Sequence, residues 1–134
     1  MLKLRKVILY SSMLVTGQII GQQADCTLGI GGKDTNVIIQ VFKLSTDQRE
    51  QLSHWVTELQ SYQKDMSDQI KELLDTHPQQ NLEEIQILAS KYKAFRDEIE
   101  ATSKAYDRKL LSTFDERQYA RYQALCREAN RQAM

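Results

Sequence analysis

The sequence predicts an all-α protein: a short N-terminal helix, a long antiparallel helical hairpin and a third, C-terminal helix beyond it. Two observations carry this expectation. The 134-residue chain has one proline and five glycines, too few turn formers for a sheet architecture. Apolar residues also recur at helical spacing from Leu52 onward: Leu52, Leu59, Met66 and Leu73 follow one another every seven residues, and so do Ile85, Tyr92, Ile99 and Tyr106.

At the N-terminus, Met1–Lys6 carries three basic residues and no acid, followed by the short apolar run Val7–Ile20. That is the layout of a secretory signal peptide. Ser11, Ser12, Thr16 and Gln18 dilute the run, which is shorter than the roughly 20 residues needed to span a bilayer. Residues 1–24 are therefore expected to be removed, with cleavage near Gly21 or Ala24, and 25–134 to form one domain. A retained anchor, or lipid attachment at Cys26, is the alternative; Asp25 stands where a lipobox carries a small residue.

The full chain has 18 basic and 18 acidic residues, so loss of Lys3, Arg5 and Lys6 leaves an excess of three acids. A mildly acidic chain without a basic block is a poor ligand for nucleic acid or for an anionic membrane. Gly29–Lys33 (GIGGK) lacks the spacing of a phosphate-binding loop and reads as a flexible N-terminal turn. In the first helix, expected over 34–43, Asp34 or Thr35 can cap, and Val37, Ile38, Val41 and Phe42 form its apolar face.

The second helix, 46–76, places Trp55, Val56, Tyr62 and Ile70 beside its heptad positions and is stopped by His77-Pro78, because proline disfavours helical geometry in the residue before it. The third helix, 82–111, is capped by Asn81 and interleaves Leu88, Phe95 and Thr102. Each helix is about 45 Å long at 1.5 Å per residue. The short link between them makes them antiparallel neighbours. The fourth, 115–132, puts Tyr122, Leu125 and Ala129 on one seam.

Two helix starts are the most specific signals. In Leu44-Ser45-Thr46-Asp47-Gln48, the Ser45 hydroxyl can cap while Gln48 reaches back to the cap's backbone N–H. Thr113-Phe114-Asp115-Glu116 repeats the device, with Thr113 as cap and Glu116 as its partner. The segment LSTDQREQLSHW resembles the LTxxQ motif of the Spy/CpxP-type periplasmic chaperone and stress-response family, matching at Leu44 and Gln48 with Ser45 in the threonine place. KLLSTFDERQYARYQAL is similar to a second copy, with Leu111 or Phe114 as the apolar residue and Gln118 as the glutamine. The resemblance covers most of the mature chain. It implies a homodimeric cradle of bent hairpins in the periplasm of a Gram-negative cell that holds unfolded or misfolded envelope proteins without ATP, with no stable membrane insertion after signal cleavage.

The residues support part of this on their own. Two helices of that length flanked by shorter ones leave apolar surface for a partner subunit or a client. Trp55, Tyr62, Tyr92, Phe95 and Tyr106 are the candidates, and each is equally a candidate for the core. No serine constellation or pair of acids in an apolar setting suggests an enzyme, and His54 and His77 lie among polar residues. No cofactor is expected. The alternatives to a chaperone-like protein are a periplasmic metal-responsive regulator, although Cys26, Cys126, His54, His77 and Met66 have no ligand spacing, and a purely structural helical oligomer. Cys26 and Cys126 are the only cysteines. In a chain bound for an oxidising compartment they are expected to form an intramolecular disulfide, against free thiols or an intersubunit bridge.

Overall fold

A computed structural model describes residues 26–134. The expected signal segment and its cleavage points at Gly21 and Ala24 lie outside the described residues. Four helices follow one another: α1 (Thr35–Phe42), α2 (Thr46–Thr76), α3 (Leu82–Leu111) and α4 (Glu116–Gln132), with no strand among the described residues. Their bounds fall within a residue of those read from periodicity.

The ends of the helices follow from local chemistry. Asp34 occupies the cap position of α1, but its side chain makes no capping hydrogen bond, contrary to expectation. α1 closes through Lys43, whose φ of 48° is left-handed. The Lys43 N–H donates to Gln40 O and the Leu44 N–H to Ile39 O, a Schellman-type ending built on lysine where glycine is usual. Extended His77 ahead of Pro78 ends α2. Asn81 caps α3 by accepting from the Glu84 N–H at 2.9 Å. Glu83 and Glu84 in its first turn, with Arg108 and Lys109 in its last, complement the helix dipole.

One cluster of buried residues joins all four helices: Ile30, Ile38, Phe42, Leu44, Leu52, Leu59, Leu110 and Tyr122. α2 contributes the expected face, with Leu52, Leu59 and Met66 buried and Leu73 half-buried. The other two stripes need correction. On α3 the expected stripe holds only in part: Ile85 is 48% and Tyr92 36% exposed, whereas Leu88 is buried, Phe95, Ile99, Thr102 and Tyr106 are half-buried, and Leu110, outside the stripe, is buried. On α4 the buried line is Gln118, Tyr122 and Cys126, spaced by four, while Leu125 and Ala129 of the expected seam face outward. α2 and α3 touch along their length. The Tyr62 hydroxyl donates to Glu98 Oε1 at 3.3 Å and the Tyr106 hydroxyl to Glu58 Oε2 at 3.1 Å. Sequence numbers thus fall on α2 as they rise on α3.

Residues 26–32 form a strap rather than the flexible turn expected of GIGGK. Ile30 is 1% exposed. Gly29 turns the backbone at φ +76°, and the Gly32 N–H donates to Gly29 O at 2.9 Å. Gly31 lies directly on α2, where a Cβ would come within 2.9 Å of Leu59 Cδ2. The Tyr122 hydroxyl accepts from the Cys26 N–H at 2.9 Å and donates to Cys26 O at 3.2 Å. Cys26 and Cys126 form the expected disulfide, across a sequence separation of 100 residues.

A cross-link closing so long a loop stabilises a fold by up to about 4–5 kcal/mol in the chain-entropy model. The Cys26→Ser/Cys126→Ser double variant should keep its helical circular dichroism but lose stability on that scale in urea denaturation. An unchanged midpoint would show that the noncovalent contacts of the strap suffice.

Candidate functional site

The two glutamine motifs meet. Gln48 and Gln118 are each 8% exposed, and their amides pair reciprocally: Gln48 Nε2 donates to Gln118 Oε1 at 2.9 Å, and Gln118 Nε2 to Gln48 Oε1 at 2.8 Å. Each oxygen also completes a capping box. Gln48 Oε1 accepts from the Ser45 N–H at 2.9 Å, and Gln118 Oε1 from the Asp115 N–H at 3.0 Å. Each nitrogen has a second acceptor on the opposite side, Thr113 O for Gln48 and Phe42 O for Gln118. Both amides are thereby fully used, as burial demands.

The second motif differs from the expected one. Asp115, not Thr113, caps α4, and Gln118, not Glu116, returns the bond. Thr113 instead accepts from Gln48 and donates to Leu110 O. The spacing Phe114-Asp115-x-x-Gln118 reproduces Leu44-Ser45-x-x-Gln48 position for position, and that identity is the signal in the sequence that points to Asp115. Phe114 packs on Phe42 with ring centroids 4.9 Å apart.

Asp107 was not among the expected site residues. It is 5% exposed and accepts from the Leu28 N–H at 2.9 Å and the Ile30 N–H at 3.4 Å, fastening the strap to α3. Burial raises its carboxyl above the ordinary value of 3.8, and the backbone donors of Leu28, Ile30 and Gly29 offset part of that rise. Its signal was an acid three residues before the core residue Leu110.

The five candidate aromatics do not share one surface. Trp55, Tyr62 and Tyr106 are half-buried and pack against the core, while Tyr92 and Phe95 lie farther along α3. There the protein is only two helices thick, and Met66 and Leu88 are its deepest residues. Leu74, Leu82, Ile85, Ile87 and Tyr92 are between 36% and 70% exposed. Leu73 and Phe95 floor a shallow groove of about 520 Å³ between α2 and α3, edged by Glu72, Lys91 and Glu98. Apolar positions with charged rims suit a binding surface for apolar segments.

His54 is 75% exposed and lies 3.0 Å from Glu58, and the exposed His77 places Nδ1 2.8 Å from Pro78 O. No group of three or more His, Cys, Asp or Glu able to hold a metal ion occurs among the described residues. No described helix is long and apolar enough to cross a membrane. Comparison with protein-family models, with curated proteins and with solved structures finds no match for this chain.

An isolated capping box accepts Glu as readily as Gln, but the paired amides need a donor on each side. Gln48→Glu and Gln118→Glu should therefore each cost about 1–3 kcal/mol, with a coupling energy between the sites of about 0.5–3 kcal/mol in a double-mutant cycle. Wild-type stability after Gln48→Glu would reduce the contact to two separate caps.

Asp107 binds its proton more tightly in the folded than in the unfolded chain. Its contribution is thus fully present below the unfolded-state value and is lost as pH rises through the folded-state value. Chemical denaturation of wild type and Asp107→Asn across mildly acidic pH should show this fall in the wild type alone. The opposite slope would mean that the backbone donors outweigh burial.

Proposed function

We propose that the protein is an ATP-independent, chaperone-like binding protein of the periplasm that holds unfolded envelope proteins on its long helical hairpin and works as a homodimer. The observation that carries this reading is the exposed apolar run Leu74, Leu82, Ile85, Ile87 and Tyr92 at the thin end of α2 and α3. Ile85 and Ile87 stand two residues apart and so flank α3 on opposite sides; together with the groove floored by Leu73 and Phe95 they offer apolar contacts to a bound segment from either side of the two helices. The disulfide agrees with an oxidising compartment, where nucleotide is not at hand to drive release. The resemblance of Leu44, Ser45, Gln48 and Gln118 to the LTxxQ motif points to the same family of activities.

A shallow surface of this kind binds weakly and without sequence preference. Apolar contacts supply affinity without directional demands, and the neighbouring charges attract unfolded segments over a longer range. Clients then leave spontaneously. The same exposed apolar residues serve the second subunit, whose approach would extend the surface.

The protein should suppress light scattering from a denatured model substrate diluted without nucleotide, and should have the mass of a dimer in solution. Ile85→Asp and Ile87→Asp, at exposed sites, should reduce protection while shifting stability by no more than about 0.5 kcal/mol. Trp55→Ala should instead destabilise by about 3 kcal/mol, since Trp55 packs on the core. A monomer that leaves aggregation unchanged at several-fold excess would return the reading to a structural helical protein.

A further inference from the structure

α1 and α4 pack side by side in opposite directions, and the seam between them changes character along its length. At one end, Gln118 Nε2 donates to Phe42 O, where α1 finishes and α4 starts. A cleft of about 570 Å³ opens there, lined by Lys43, Arg117 and Arg121 over Val41 and Phe42. The same two floor residues continue into an apolar groove of about 270 Å³ beside the strap, flanked by Val37 and Leu125. Val37 is 50% and Leu125 41% exposed.

The sequence arranges this gradient. Arg117, Arg121 and Leu125 are four residues apart and form one line on α4; Val37 and Val41 do the same on α1. Charge gathers there too: Lys43, Arg117 and Arg121 line one cleft, and no ion pair engages any of the three among the described residues, whereas Lys64, Lys71, Lys93, Lys104 and Arg131 each have an acidic partner on their own helix. Asp115, the acid at the cleft, spends Oδ1 on the Gln118 N–H at 2.8 Å.

We propose that this seam is a binding site for a single-chain anionic amphiphile, its phosphate head held by Lys43, Arg117 and Arg121 and its hydrocarbon chain laid along Val37, Val41 and Leu125. Two arginines one turn apart present forked donors suited to phosphate oxygens, and lysine adds a point charge. An apolar groove alone would accept any greasy molecule. The three unmatched cations at one end select the charge and orient the ligand. The site lies away from the apolar run of α2 and α3, so it is independent of the chaperone-like reading.

Dodecyl phosphate, kept below its micelle-forming concentration and titrated calorimetrically into the mature protein, tests this. We expect saturable binding of one molecule per chain, about tenfold or more tighter than inorganic phosphate or a dodecyl trimethylammonium salt, since each tenfold step needs only about 1.4 kcal/mol. Arg117→Gln/Arg121→Gln should weaken it about tenfold, and Leu125→Asp comparably, with unchanged melting temperatures; Val37→Asp serves if Leu125→Asp melts early. No saturable binding, equal affinity for the cationic detergent, or indifference to the variants would overturn the proposal. So would binding only to phosphatidylglycerol vesicles, which would make the seam a membrane contact, or only to an acidic peptide.

Discussion

The side-chain amides of Gln48 and Gln118, buried against each other, hold together segments far apart in the chain. Four backbone groups depend on them directly: the N–H groups of Ser45 and Asp115, which begin α2 and α4, and the carbonyls of Phe42 and Thr113, which end α1 and the α3–α4 turn. Helix ends normally leave such groups to water. Here the two N–H groups are satisfied three residues on and the two carbonyls across 65 and 76 residues; because the same two amides also bond each other across 70 residues, the two helix starts and the two turns are placed as one unit. A carboxylate could cap either helix, but only an amide can both accept from its own cap and donate to its counterpart.

Around that pair the protein is unevenly built. The strap of residues 26–32, α1 and α4 all cover the same end of α2 and α3, and nearly all the buried residues lie there. Asp107 and Tyr122 hold the strap by its backbone, and the disulfide ties it covalently to α4. Beyond Met66 and Leu88, α2 and α3 have only each other. The i,i+4 pairs Lys64–Asp68, Lys71–Asp75 and Lys93–Asp97 lie on this stretch or at its edge, where exposed pairs add only tenths of a kcal/mol. The result is a well-packed base and an apolar, lightly covered extension.

Much of the architecture was legible in the residues. The lengths of α2 and α3 follow from apolar spacing, their junction from His77-Pro78, and the Ser45–Gln48 box from adjacent chemistry, because helix starts and stops are set within a few residues of themselves. The inner face of α2 was equally clear, since Leu52, Leu59 and Met66 have no competing stripe. α3 was ambiguous for the opposite reason. It has apolar residues on more than one face, and the exposed Ile85 and Ile87 are as apolar as the buried Leu88, so periodicity alone does not say which of them the rest of the fold covers.

What the sequence determined by itself was helical class, helix bounds, one capping box and the availability of two cysteines for pairing. The tertiary structure decided which face of α3 and α4 turns inward, that GIGGK is pinned rather than loose, and that Gln48 and Gln118 meet. The physical reason is range. Capping, proline stops and helical periodicity act over three to seven residues and leave their mark in contiguous sequence. A buried amide pair, a carboxylate receiving the N–H groups of a distant strap, and a glycine pressed against another helix exist only once the chain has brought those parts together.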